Sequence, residues 1–229
     1  MTQIILTIIV PAYNEKKSIS KIIDQINEKI IYTKQIIVID DFSNDGTRDV
    51  IKNLSNIDEI IFHQRNMGKG AAIKSAIPFI KGNIVAIQDA DLEYDPEDLN
   101  KLAKEILDQK TNVAYGSRVL NKKRYGNNNF ISNFRIFGNH VLTILSNLFN
   151  SQQLTDAHTC YKVFKREIFL KLNLKENDFA FCPEVTSKIA KLGHQIHEVP
   201  ISYDGRNYKD GKKIKTIDAF RALKALIKY

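Results

Sequence analysis

Residues 84–99 read IVAIQDADLEYDPEDL. The first four residues are apolar, and a short unbroken run of this kind suits a strand buried on both faces. The last five open a segment with helical spacing. Asp95 stands where a side chain can cap a helix, Pro96 suits its first position, and Glu97 and Asp98 set negative charge against the helix dipole. Between strand and helix lie Asp89, Asp91 and Glu93. In extended chain, residues two apart point to the same side, so these carboxylates repel one another unless a cation sits between them. Hard oxygen ligands in that number suit Mg2+ or Mn2+, shared with waters and substrate phosphates. The competing reading is a solvated acidic turn.

The same unit of strand, polar turn and helix recurs along the chain. Apolar runs fall at 4–10, 36–39, 60–62, 84–87 and 113–115, with helical patterns near 18–30, 45–55, 68–80 and 95–108. Such alternation predicts right-handed crossovers and an α/β fold: a Rossmann-like, mostly parallel sheet flanked by helices. Ligands of these sheets bind beyond the carboxyl ends of the strands. The residues there are Pro11, Tyr13 and Glu15 after the first run, and Asp40 and Asp41 after the second. Arg65 to Gly70 follow the third, Asp89 to Glu93 the fourth, and Gly116 to Arg118 the fifth. Gly68-Lys69-Gly70 lacks the spacing of a phosphate loop. It reads equally as a glycine turn opening a helix, with Lys69 free to reach a diphosphate. Asp41 suits either a hydrogen bond to a base or ribose, or the cap of the helix near Asp45.

At 229 residues the chain is expected to form one domain, 1–229. Two cysteines, Cys160 and Cys182, make neither a metal spacing nor a disulfide framework. The N-terminal apolar run is too short for a signal peptide, and no stretch has the roughly 18 apolar residues of a membrane span. The expected location is cytoplasmic, with peripheral contact at the cytoplasmic face of a membrane. The net charge is +8, and the basic segment 203–229 carries much of it, since 201–229 hold six Lys and two Arg against three Asp. That excess favours phosphates on a substrate or a membrane surface. Nucleic acid is not the expected partner: it would need stacking aromatics or a basic groove, and the tail's IDAFRALKALIKY reads more as a docking helix.

Seven stretches in order carry a resemblance: VPAYNE, VIDDFSNDGT, NMGKGAA, QDADLEYDPEDL, YGSR, TDAHTCYKVF and EVPISYDGRNYKDGKKI. Together they resemble the family 2 glycosyltransferases, and within them the dolichyl- and polyprenyl-phosphate sugar synthases. The resemblance spans nearly the whole chain. It implies a GT-A fold and an inverting transfer, dependent on Mg2+ or Mn2+, from a GDP- or UDP-linked sugar to a lipid phosphate. By position, Pro11, Tyr13, Glu15, Asp40 and Asp41 line the nucleoside pocket, and Lys69 and Arg206 meet the donor diphosphate. Asp89 and Asp91 become the D-x-D metal ligands, with Glu93 at a third position often filled by Gln. Arg118 and Arg135 match arginines aimed at the acceptor phosphate. Asp91 and Asp156 complete the implied catalytic set.

The acceptor class decides what chemistry is needed. A lipid phosphate is already ionised, whereas a hydroxyl of a glycan or glycolipid requires a base, for which Asp156 is placed by motif. The family's T-G-F/Y-R is here Thr159-Cys160-Tyr161-Lys162, which exchanges a guanidinium fork for a point charge. Segment 179–184, FAFCPE, lacks the lysine of some mannosyl synthases and so disfavours GDP-mannose. Residues 132–149 set Phe134, Phe137, Val141, Leu145 and Leu148 on one stripe. Such a helix either packs on the core or lies on a bilayer surface, with a separate membrane partner as another way to reach lipid. A nucleotidyltransferase is the rival enzyme class and would release pyrophosphate from a nucleoside triphosphate.

Overall fold

The computed structural model describes residues 5–120, 130–205 and 216–229, with the backbone alone over 130–136 and 216–220. One seven-stranded sheet organises them, in the order β3-β2-β1-β4-β6-β5-β7. Its strands are β1 (Leu6–Ala12), β2 (Lys34–Asp40), β3 (Glu59–Phe62), β4 (Ile84–Ile87), β5 (Val113–Ser117), β6 (Lys162–Lys165) and β7 (His197–Pro200). Only β6 runs against the others, inserted between β4 and β5. The mostly parallel sheet expected from the sequence is therefore present. Its first strand lies two residues later than expected, because β1 and β2 pair through Pro11↔Ile39 and Ala12↔Asp40.

Helices cover the sheet with apolar stripes. α1 (Ile19–Lys29) buries Ile19, Ile22, Ile23 and Ile26, and α4 (Glu97–Leu107) buries Leu99, Leu102, Ala103 and Ile106. Both sets follow the i, i+3, i+4, i+7 rule of a one-faced helix. α2 (Thr47–Lys52) and α3 (Lys69–Ser75) are short. The helix expected over 68–80 breaks into α3 and a 3-10 turn, Ile77–Phe79, because Pro78 cannot continue an α-helix. After β5 come α5 (Phe130–Asn150), α6 (Arg166–Lys171), α7 (Phe181–Lys191) and α8 (Thr216–Lys228). α5, α7 and α8 pack on one another.

This topology brings the carboxyl ends of six strands to one rim. Because β6 is reversed, the stretch that enters it, Thr155 to Tyr161, reaches the same rim from the other direction. Gly116 permits that approach, since a Cβ there would lie 2.8 Å from the Ile201 side chain and 2.9 Å from the Cβ of Tyr161.

Candidate active site

The β1 and β2 ends are laced together. The Asn14 N–H donates to Ser43 Oγ at 2.9 Å, the Glu15 N–H to Thr47 Oγ1 at 2.9 Å, and the Asp41 N–H to the Ala12 carbonyl at 2.8 Å. Tyr13 stands half-buried at this edge, while Pro11 and Glu15 are buried. Asp40 is fully buried and accepts from Arg48 Nε at 2.6 Å and the Ser43 N–H at 3.1 Å. Asp41 neither caps a helix nor stands open. Its Oδ1 meets His63 Nδ1 at 2.7 Å and the Met67 N–H at 2.8 Å, and its Oδ2 accepts the Gly68 N–H at 2.7 Å. Asp45 makes the helix-start bond instead, accepting the Thr47 N–H at 3.0 Å.

Asp41 thereby holds the turn that carries Lys69. Lys69 Nζ donates to Asp89 Oδ1 and lies 3.2 Å from Cys160 Sγ. Burial works against the ammonium, but the Asp89 carboxylate holds its pKa well above the ordinary lysine value. The same burial pushes the Cys160 thiol up, which keeps it protonated. The flanking glycines have a packing cause rather than a phosphate-binding one. A Cβ on Gly68 would collide with the Asn177 carbonyl, and one on Gly70 would lie 2.5 Å from the Glu176 carbonyl. The Ala71 N–H already donates to Asn177 O at 3.0 Å.

The acids after β4 separate further. Asp91 Oδ1 accepts the Glu93 N–H at 3.1 Å across Leu92, whose φ is +64°. A left-handed leucine costs about 1–2 kcal/mol, and such outliers gather at functional sites. Phe42 and Asn14, at φ +66° and +52°, occupy the turns after β2 and β1 in the same way. Glu93 is buried and accepts the Tyr203 hydroxyl at 2.6 Å, while its carbonyl takes the Asp204 N–H at 2.9 Å. Among the described residues no three His, Cys, Asp or Glu side chains converge as a ligand set. The three-carboxylate cluster is accordingly not assembled, because Glu93 is turned to Tyr203. Asp89 and Asp91 still supply two hard oxygen donors at the rim, and Asp89 already faces the positive charge of Lys69. That donor set fits a Mg2+ or Mn2+ whose remaining ligands are phosphates and water.

Asp95 behaves as the sequence leads one to expect, accepting the Glu97 N–H at 3.0 Å and pairing with Lys29 at 2.9 Å. Asp98 does more. It stands in the first turn of α4 with Glu97, but it is also buried and accepts the Ser202 N–H at 2.6 Å, so it fastens the segment after β7 as well.

Across the rim, Arg118 and Asp156 form a two-point pair: Nε to Oδ2 at 2.7 Å and Nη2 to Oδ1 at 2.8 Å, with the Arg118 N–H adding a third bond at 3.1 Å. Glu198 holds the other side of this loop, accepting the Asp156 N–H at 2.9 Å and the Thr155 N–H at 2.7 Å. Burial alone would raise the Asp156 pKa, but the adjacent guanidinium keeps it below the ordinary carboxylate value. Arg118 rests over the Tyr203 ring at 5.1 Å. Among the described residues its Nη1 makes no hydrogen bond. Lys162 is fully buried, donates to Ala157 O at 3.0 Å and sits 3.8 Å from the Tyr115 ring centre. Burial, and then the charge of Lys162, pushes the His158 pKa down to about 4. The Arg135 side chain and Arg206 lie outside the described residues.

His63, Tyr203 and Glu198 were not singled out in the sequence. His63 is the first residue past β3, so the strand-end rule points to it. Tyr203 and Glu198 lie within the stretch EVPISYDGRNYKDGKKI, but nothing local shows their roles, since their partners are distant in the chain.

Comparison with known proteins matches residues 7–172 to the model described as glycosyl transferase family 2. The dolichyl-phosphate beta-glucosyltransferase ALG5A of Trichomonas vaginalis is 30% identical over 240 residues, covering 97% of this chain and 72% of that protein. The Mycobacterium tuberculosis glucosyl-3-phosphoglycerate synthase, solved with Mg2+ and uridine-diphosphate, aligns at a TM-score of 0.73 and 16% identity. That match covers 98% of this chain and 78% of the synthase. The mannosyltransferase PcManGT of Pyrobaculum calidifontis, solved with GDP-Man and Mn2+, aligns at 0.61 and 23% identity over 85% of this chain and 54% of its own. These structural likenesses establish the fold.

Proposed function

This chain belongs to glycosyl transferase family 2 and is a glycosyltransferase, and from that premise we propose that it transfers a sugar from a nucleotide-sugar to a polyprenyl, dolichyl-type, phosphate. The observation that carries the acceptor assignment is the state of Asp156. A hydroxyl acceptor needs a base, yet both Asp156 oxygens are committed to Arg118 and its basicity is depressed. A phosphate oxygen needs no base. It attacks the anomeric carbon as the bond to the nucleoside diphosphate breaks, and a single displacement inverts that carbon.

Each residue then has a task. Pro11, Tyr13 and Glu15 border the nucleoside, while Asp40 and Asp41 set the floor and the turn beside it. Lys69 and Arg206 neutralise the departing diphosphate, and Asp89 and Asp91 would hold Mg2+ or Mn2+. When bound, the ion stabilises charge developing on the leaving group. Glu93 supports this turn through Tyr203. Arg118 and Arg135 draw in the acceptor phosphate. UDP-glucose is the first donor to try, because ALG5A is a glucosyltransferase by name and the 179–184 segment has no basic residue.

A lipid acceptor calls for a membrane-facing surface, and α5 supplies one. Phe137, Val141, Ile144 and Leu148 lie on its exposed side, with Leu148 75% exposed, while Thr143 and Ser146 are buried. From Phe137 on, the stripe read from the sequence is thus turned outward, with Ile144 in it and Leu145 half-buried, while the Phe134 side chain lies outside the described residues. α8 adds Ile227, 70% exposed, beside the exposed Lys224 and Lys228. No helix among the described residues is long and apolar enough to cross a membrane. The face fits a bilayer surface bearing acidic headgroups, on the cytoplasmic side.

The test is transfer from UDP-glucose and GDP-mannose, with Mn2+ or Mg2+, to polyprenyl phosphate and in parallel to polyprenol. Product on the phosphate only, lost in Asp91→Ala with the fold retained, is the expected result. Product on hydroxyl acceptors only, abolished by Asp156→Asn with donor binding kept, would establish the glycan or glycolipid reading instead.

A further inference from the structure

Residues 173–178 pass from α6 to α7 as a strap across the start of α3, and they have no part in the chemistry above. Their anchor is Glu184, a fully buried carboxylate in the first turn of α7. Its Oε1 accepts the Lys175 N–H at 2.6 Å and its Oε2 the Glu176 N–H at 2.8 Å. Lys188, one turn on, supplies the counter-charge at 2.7 Å and donates to Asn173 O at 2.6 Å. Thus fixed, the strap presents the Asn177 carbonyl to the Ala71 N–H, while Asn177 Oδ1 and the Lys175 carbonyl hold Lys74 at 2.6 and 2.8 Å. Its outer side is gripped by α8 and the residue after it. Glu176 accepts from Lys228 Nζ at 2.7 Å and from the Tyr229 hydroxyl at 2.8 Å, and Asp178 meets Arg221 at 3.3 Å.

The Gly68–Gly70 turn is clamped between this strap and Asp41. Neither glycine has room for a Cβ, so a displacement of the strap must displace the turn. Packed interiors pass such shifts on rather than absorb them. Lys69 is the residue between the two glycines. We infer that Glu184 is a positioning residue for the donor side of the site: through the strap it fixes the turn that brings Lys69 to Asp89, and it makes α8 part of that scaffold. The inference rests on the donor-site reading given above, and it adds a buried group that never touches substrate.

Glu184→Gln leaves one acceptor oxygen for two backbone N–H groups and strips Lys188 of its counter-charge. The dissociation constant for UDP-glucose with Mn2+, or for GDP-mannose if the wild type prefers it, is expected to rise about tenfold. Hydrogen exchange across residues 66–72 should quicken by about the same factor while α1 exchanges as before. A general loss of stability would quicken both. Glu176→Gln cuts the tie to α8 at a partly exposed position and is expected to shift both readouts the same way by less. It decides the matter if Glu184→Gln does not fold. Donor binding within about twofold of wild type and unchanged exchange at 66–72 in both variants would overturn the inference. If the wild type binds neither nucleotide-sugar, the functional reading has failed, and exchange at 66–72 still decides the positioning role.

Discussion

At the scale of single residues, the site separates groups that hold from groups that are held. Arg118 is both, gripping Asp156 with two side-chain donors while, in the proposed role, its remaining donors serve the acceptor phosphate. Arg118→Lys keeps the charge but loses the fork, so the acceptor kcat/KM should fall on the order of tenfold or more, with donor affinity unchanged. Steady-state kinetics against each substrate checks this. His158 gives a pH signature. Its pKa is about 4 in the fold against an ordinary 6.5, so below 6.5 the unfolded chain binds a proton that the folded chain refuses. Its stabilising contribution is complete above 6.5 and is lost as the pH falls toward 4. The urea midpoint should decline across that window, and His158→Gln should flatten the decline. Asp156 acts lower, because its folded pKa lies below 3.8. Its contribution is present above 3.8 and disappears only in stronger acid. The partners of these residues set what could be read in advance. Asp41 was visible as a rim acid, but its commitment to the 66–68 turn was not, since His63 lies 22 residues away. Glu93 looked like a third metal ligand because Tyr203, 110 residues on, leaves no mark near it.

At the scale of elements, periodicity spoke clearly where burial was one-sided. α1 and α4 showed their stripes, and β1, β2 and β4 showed unbroken apolar runs. β6 stayed hidden because lysine stands at both ends of Lys162–Lys165, and nothing local announces that the first of them is buried on an aromatic ring. The periodicity of α5 was visible but its direction was not. The polar side that a surface helix normally shows to water is bonded inward here: Thr143 Oγ1 accepts the Ala157 N–H at 3.3 Å, and the Asn147 side chain bonds Leu154 N–H and O. This ties the apolar face to the loop that bears Asp156. Leu148→Glu should weaken sedimentation with anionic vesicles by about tenfold or more while leaving the melting temperature nearly unchanged, because the side chain is largely solvated already. Equal sedimentation of variant and wild type would count against the membrane face.

At the scale of the whole molecule, strand–helix alternation sufficed to gather the parallel strand ends on one rim, because parallel strands fix which end of the sheet they share. It could not reveal that one strand is reversed and late. β4 and β5 are neighbours in the chain, yet β6, made well after both, must lie between them. As the chain emerges from the ribosome, β1 to β4 can pair at once, whereas β5 has no proper seat until β6 arrives. Direct pairing of β4 with β5 is a trap that the growing chain must avoid or undo. Pulsed hydrogen exchange during refolding should protect β1, β2 and β4 before β5 and β7. A chain stopped ahead of residue 162 should expose the open edge of β4 and aggregate. Arg118 and Asp156 are brought together only when that gap closes, so the part of the rim that they line is completed last.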